Sequence, residues 1–299
     1  MNQGSMELLA EIGRQLNRNI FPSVKNSGIV SPGDTSVFSN PLGKEKHHAR
    51  QRQARSTTEP WQGHVGGQGT PGRAWEFAGA RAAGQTSPVI DPGDSAVYPD
   101  PLASVVSAYP ATQVWRQEGG FWMLTESALL PELGRTVNFL TGVSIEKRFA
   151  KSWAFYSSAV GVSWIGPRHT NFPDGSICAF EPRDGTWRFG DSLVELLDLY
   201  TVWGVRHLHL EVFGSWPGPQ SVAQPYERML ELADDEHCGC GSSDKRYVDC
   251  CKEADLRRNR IAEAIKFGNF SLWSIRQPPE AVLQFMRYRI QPPVISGLI

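Results

Sequence analysis

The sequence predicts an α+β fold on three observations. Thr112–Gly166 is rich in β-branched and aromatic residues and is interrupted by glycine-containing turns. A long, mostly apolar segment, Gly190–Phe213, follows and opens with the capping residue types Asp191 and Ser192. Of ten tryptophans, all but Trp61 and Trp75 lie after residue 110, so the folded mass is expected there. Strands first and helices afterwards is the order of an α+β domain.

Residues 1–105 read as a mostly disordered N-terminal arm, with one short amphipathic helix over Met6–Leu16. The rest of the arm is Gly, Pro, Ser, Gln and Arg, too poor in apolar side chains to offset its ordering entropy. Lys44–Arg55 is a basic run, read as a solvated linker or a weak contact for an acidic partner. The arm carries an internal repeat. "PGDTSVFSNPL" at 32–42 returns as "PGDSAVYPDPL" at 92–102. Two copies of a short motif on one tether can engage a partner bivalently, or can be duplicated linker.

Residues 106–220 should form the sheet domain. "TQVWRQEGGFWML" (112–124) predicts strand, Gly-Gly turn, strand; "RTVNFLTGVSIEKRFAKSWAFYSS" (135–158) and "AVGVSWIG" (159–166) continue an antiparallel meander. Gly190–Phe213 predicts a helix buried on most sides, with Gly204 a possible break. Residues 221–299 read as a helical region around a cysteine cluster at 237–252. Its helices are Pro225–Asp234, Lys252–Gly268, with Leu256, Ile261, Ala264 and Ile265 on one side, and Pro278–Ile290.

The formal net charge of −1 argues against nucleic acid or an anionic membrane as the main partner. No apolar run reaches the roughly 18 residues of a transmembrane helix, and no secretory h-region opens the chain. Four of the five cysteines fall within Cys238–Cys251, unlike a spread disulfide framework, so a reducing, cytoplasmic setting is expected.

Cys238, Cys240, Cys250 and Cys251 bring four soft ligands from the two ends of a tight turn, which suits a closed, structural Zn2+ site. His237 is a substitute ligand should Cys250 or Cys251 not reach. "CGCGS" and the closing "CC" resemble the zinc motif at the C-terminus of the SecA translocation ATPase, with Ser243 in place of a glycine and one extra spacer residue. That resemblance implies a docking element for a protein partner.

Cys178 stands apart, at the end of "HTNFPDGSIC". A lone cysteine is commonly a buried, inert thiol. Pro-Asp-Gly is turn chemistry, however, and puts this thiol just past a loop. The stretch resembles the active-site signature of ubiquitin-conjugating enzymes through His169, Asn171, Asp174, Gly175, Ile177 and Cys178. Threonine stands at the middle position, and the Asn-to-Cys spacing is one residue shorter. The downstream "GDSL…LLDLY…W…GSWPG" looks more like bacterial conjugating-enzyme-like proteins of antiphage operons, which include an activating enzyme, a ubiquitin-like modifier and a JAB-type peptidase.

The resemblance spans about residues 110–218 and implies a ubiquitin-conjugating-like domain whose Cys178 carries the modifier as a thioester before an amine of an acceptor protein attacks. It implies that Asn171 is the oxyanion donor and His169 a loop-holding residue, with donor or base as its alternative roles. Asp174 is read as fixing the turn, Asp184 as a candidate to orient the amine, and His207 and His209 as satisfied polar residues at a helix end. Two other classes stay open: a non-catalytic zinc adaptor, and a thiol hydrolase pairing Cys178 with His169 or His207.

Overall fold

A computed structural model describes residues 3–21, 23–25, 29–31, 101–130, 135–158, 161–180, 185–241 and 244–299. Helix α1 (Gln3–Asn17) precedes a short antiparallel pair, β1 (Ser23–Lys25) and β2 (Ile29–Ser31). Helix α2 (Pro101–Ala108) leads into five strands: β3 (Gln113–Gln117), β4 (Gly120–Leu130), β5 (Arg135–Ser144), β6 (Phe149–Ser158) and β7 (Gly161–Trp164). They pair in chain order, every neighbour antiparallel, as the predicted meander. Gly120 sits inside β4, where a Cβ would lie 2.1 Å from the Val143 carbonyl oxygen, so no larger residue fits the β4–β5 register there.

Both faces of this sheet are covered. Alternation sends Phe121, Met123, Val137, Phe139 and Val143 to one side, and Trp122, Leu124, Leu140, Trp153 and Phe155 to the other. The first side packs on α3 (Leu193–Phe213), whose Leu196, Leu197, Tyr200, Trp203 and Leu208 are buried, together with α1 and α2. The second side packs on α7 (Glu280–Tyr288) and on the short 3-10 turn Ile295–Gly297, through Val282, Phe285, Met286, Ile295 and Ile299. The sequence reading separates 106–220 from 221–299. The C-terminal residues nevertheless share one core with β4–β6.

Several expectations are corrected. The amphipathic helix expected over Met6–Leu16 is α1, slightly longer than predicted, and its Leu9, Ile12 and Leu16 are buried in the core. The basic run and the repeat copy at 32–42 lie outside the described residues, as does the second copy except for its last two residues, which begin α2. Gly204 does not break α3. It lets the helix lie close to β4, where a Cβ would be 3.0 Å from Leu129 Cδ2. Ser192 is the N-cap of α3 but makes no side-chain cap bond, and Asp191 accepts from the Arg188 N–H at 2.8 Å instead.

The helix predicted over Lys252–Gly268 is two, α5 (Lys252–Leu256) and α6 (Arg260–Phe270). Asn259 divides them by accepting from the Ile261 and Ala262 N–H groups at 3.0 and 3.1 Å. The apolar side predicted for that helix is not a core face: Leu256, Ile261 and Ile265 are exposed. Helix α4 (Pro225–Glu231) matches its prediction, ending earlier than Asp234. None of the helices among the described residues is long and apolar enough to cross a membrane.

Candidate functional site

The thiol lies in the irregular stretch between β7 and α3. Thr170 and Ile177 form an isolated antiparallel bridge that makes the neck of a small loop. The Asn171 N–H donates to the Ser176 carbonyl at 2.7 Å, the Gly175 N–H to the Asn171 carbonyl at 2.9 Å, and the Cys178 N–H to the His169 carbonyl at 3.1 Å. The Ile177 N–H donates to the Ser152 carbonyl at 2.7 Å and ties the loop to β6. Cys178 emerges from the neck half-buried.

Asp174 is the turn residue the sequence implied. Its Oδ1 accepts from the Ser176 N–H at 3.0 Å, its Oδ2 from Lys151 Nζ at 2.7 Å, and its carbonyl from Trp153 Nε1 at 2.7 Å. Gly175 follows with φ of +63°, where a Cβ would lie 2.8 Å from the Gln277 backbone. Asn171 directs its amide into the loop, donating to the Ile177 carbonyl at 3.0 Å and to Ser176 Oγ at 3.2 Å. The Ile177 carbonyl belongs to the peptide bond that joins Cys178, so the amide rests against the backbone of the thiol residue.

His169 holds the loop from beneath. Its carbonyl accepts from both Cys178 N–H and Trp203 Nε1, the latter at 2.9 Å, and its ring lies 3.9 Å from that of Trp216. Its Nε2 meets Gln220 Oε1 at 2.9 Å. Gln220 accepts from Arg168 Nη2 on that oxygen and donates from Nε2 to the His237 carbonyl, which fixes its amide orientation. The His169 Nε2 therefore carries the proton. Burial, then the Arg168 charge, holds this imidazole well below its ordinary pKa, so it is neutral.

His207 donates to the Arg168 carbonyl at 2.8 Å and His209 to the Ser215 carbonyl at 2.9 Å. They are the satisfied polar residues expected, but not positively charged ones: burial pushes His207 down to about 3 and lowers His209. Asp184 lies outside the described residues. Sequence reasoning passed over Tyr200. This buried phenol of α3 is raised by burial and, second, by its electrostatic interaction with Cys178. Its place among Leu196, Leu197 and Trp203 gives the sequence no signal separating it from an ordinary core aromatic.

The second site is the cysteine cluster. The sulfurs of Cys238, Cys240, Cys250 and Cys251 all lie within 4.8 Å of one another, with Cys240–Cys250 at 3.7 Å and Cys250–Cys251 at 3.8 Å. A tetrahedral centre with metal–sulfur bonds of about 2.3 Å has sulfurs about 3.8 Å apart. The four thiols thus fit a metal such as zinc, and His237 stays outside the cluster. Burial raises the Cys238 and Cys251 thiols, and hydrogen bonding to the neighbouring thiols raises Cys251 further. A bound dication reverses this by holding thiolates. The knuckle needs Gly239, at φ +69°, because a Cβ there would lie 2.8 Å from the Val222 nitrogen. Behind it a buried Arg228–Asp255 pair, with bonds of 2.8 and 2.9 Å, joins α4 to α5.

A buried ion pair joins the regions of the two sites. Arg168, next to His169, donates to Glu236 Oε1 at 2.8 Å. Glu236, two residues before Cys238, is almost wholly enclosed and also accepts from the Trp216 N–H at 2.8 Å. What the site defines as a class is an α+β protein that pairs a loop-borne thiol with a four-cysteine centre. The chain matches no protein-family model, no curated protein and no solved structure.

Proposed function

We propose that Cys178 accepts a ubiquitin-like modifier from an activating enzyme and passes it to an amine of an acceptor protein, as ubiquitin-conjugating enzymes do. The observation that carries this reading is the half-buried Cys178 at the neck of its loop, with the Asn171 amide on the adjoining Ile177 carbonyl. The order of meander, thiol loop and buried helix supports it.

In the first step the Cys178 thiolate attacks the modifier's C-terminal carbonyl and the activating enzyme's thiolate leaves. In the second, an acceptor amine attacks the new thioester, the Cys178 thiolate leaves, and the amine's proton passes to solvent. Each tetrahedral intermediate carries an oxyanion. Asn171 can serve it by exchanging its Ser176 bond for one to that oxygen while keeping the Ile177 carbonyl. A Zn2+ at the cysteine cluster would be held by all four thiolates. It would supply structural support rather than an open coordination position.

The test is adduct trapping. Incubated with its activating enzyme, modifier and ATP, the wild-type chain should form an adduct cleaved by thiol reductant. Cys178→Ser should form a reductant-resistant ester. The absence of both sinks the proposal and leaves the zinc adaptor, which the cysteine cluster supports independently of Cys178. A thiol hydrolase would instead be alkylated rapidly at Cys178 and turn over ester substrates without the activating enzyme.

A further inference from the structure

One side chain spans the two sites. Gln220 lies in the irregular segment between α3 and α4. Its Nε2 donates to the His237 carbonyl at 2.6 Å and to Glu236 Oε2 at 3.1 Å. Its Oε1 accepts from Arg168 Nη2 at 3.0 Å and from His169 Nε2 at 2.9 Å. His237 immediately precedes the metal ligand Cys238. The Val222 N–H, two residues past Gln220, donates to the Gly239 carbonyl between the first two ligands at 2.7 Å. At the other end, the His169 carbonyl receives the N–H of Cys178 itself. The loop's far side rests on the same C-terminal region: Gly175 abuts the Gln277 backbone, and Arg276 donates to the Pro167 carbonyl at 3.0 Å with its guanidinium 4.0 Å from the Phe172 ring centre.

We infer that the metal-loaded cysteine module sets the posture of the thiol loop, and that Gln220 is the positioning residue that joins them. The turn from Cys238 to Cys251 is short and mainly polar, so its conformation depends on the metal. When the metal leaves, the His237 carbonyl is no longer held in place. Gln220 then keeps Glu236 but loses the shorter of its two Nε2 bonds, and its place under His169 loosens. An enclosed imidazole N–H that loses its partner carries a full desolvation cost, and the loop relaxes to recover it. The inference rests on the thioester reading for its meaning in catalysis. Its test reads the thiol alone.

The full chain is purified with Zn2+, stripped with EDTA, and its metal content followed with a colorimetric chelator. Iodoacetamide labelling of Cys178 is timed across pH by mass spectrometry of its peptide, beside hydrogen exchange. Stripping should change the labelling rate at least about fivefold, the lower end of typical coupling between sites. It should also move the midpoint of the pH profile and raise exchange in residues 169–178. Gln220→Ala, still metal-loaded, should show the same shift in midpoint, and stripping it should add little. Restoring Zn2+ should rescue the wild type but not the variant. A merely structural Gln220 would lower stability and leave the midpoint where it was.

Unchanged labelling after metal loss overturns the inference. So do additive effects of stripping and Gln220→Ala, a chain that binds no Zn2+, or an equal loss of protection in β4 and β5. Failure of the thioester reading is separate: the coupling persists while no adduct forms with the activating enzyme.

Discussion

Replacing Glu236 with alanine removes the anion from the most enclosed ion pair joining the two sites. The Glu236 and Arg168 side chains are 1% and 9% exposed. The carboxylate also serves the Trp216 N–H and Gln220. Its loss leaves the buried Arg168 guanidinium to the Gln220 oxygen and to the Glu231 carboxylate 4.0 Å away, and breaking one partner of a buried pair costs about 3–5 kcal/mol. That is a large share of the roughly 5–15 kcal/mol by which folded domains are stable. At about 2–4 °C per kcal/mol, the expected fall in Tm is about 6–20 °C. Removing both charges, in Arg168→Met/Glu236→Met, should return part of the loss, because hydrophobic replacements of a whole pair are often close to neutral. The assay is urea unfolding followed by tryptophan fluorescence, with m-values compared to check that the transition is unchanged. A single variant that loses under about 1 kcal/mol, as an exposed pair would, refutes the reasoning. A double variant as costly as the two singles added together refutes it too.

Asn171→Ala should leave thioester loading measurable but slow transfer about 10²–10³-fold, the usual effect of losing one oxyanion donor, checked by single-turnover discharge to free lysine. Stability should respond to pH through groups of opposite sign. His207, pushed down to about 3 against an ordinary 6.5, stays neutral in the fold while the unfolded chain takes up its proton, so its contribution is present above pH 6.5 and is lost as pH falls toward 3. Asp198, raised to about 6 from 3.8 by burial, holds a proton that the unfolded chain releases, so its contribution is lost as pH rises from 3.8 to 6. Asp198→Asn should therefore steepen the acid loss of stability between pH 6 and 4, read from urea midpoints. Asn259→Ala should cost about 1 kcal/mol and speed amide exchange at the start of α6, whereas Ser192→Ala, whose side chain makes no cap bond, should cost little.

The meander was legible because β-branched and aromatic runs between glycine turns have one economical arrangement. The cysteine cluster was legible because four thiols in so short a span share a single chemistry. What stayed hidden depends on contacts distant in sequence. Trp122, Leu140 and Trp153 face away from α3, and nothing local says that α7 and Ile299 cover them. Pro-Asp-Gly alone marks Asp174 as a turn residue, but its Lys151 partner belongs to a strand that precedes it by more than twenty positions. Gln220 gives no sign that it gathers Arg168, His169, Glu236 and His237 around one amide. The Asn259 break went unseen because helix-forming residues flank the cap on both sides.

The placement of α1 bears on how the chain survives being cut. Its Leu9, Ile12 and Leu16 are enclosed, Gly13 lies under the His209 ring, and Asn17 Oδ1 receives the Gly218 N–H at 2.8 Å. Helices α1 and α2 thus belong to a single core, which α2 enters through Val105 and Tyr109. Two fragments produced by a cut introduced between α1 and α2 should co-elute until denaturant is added.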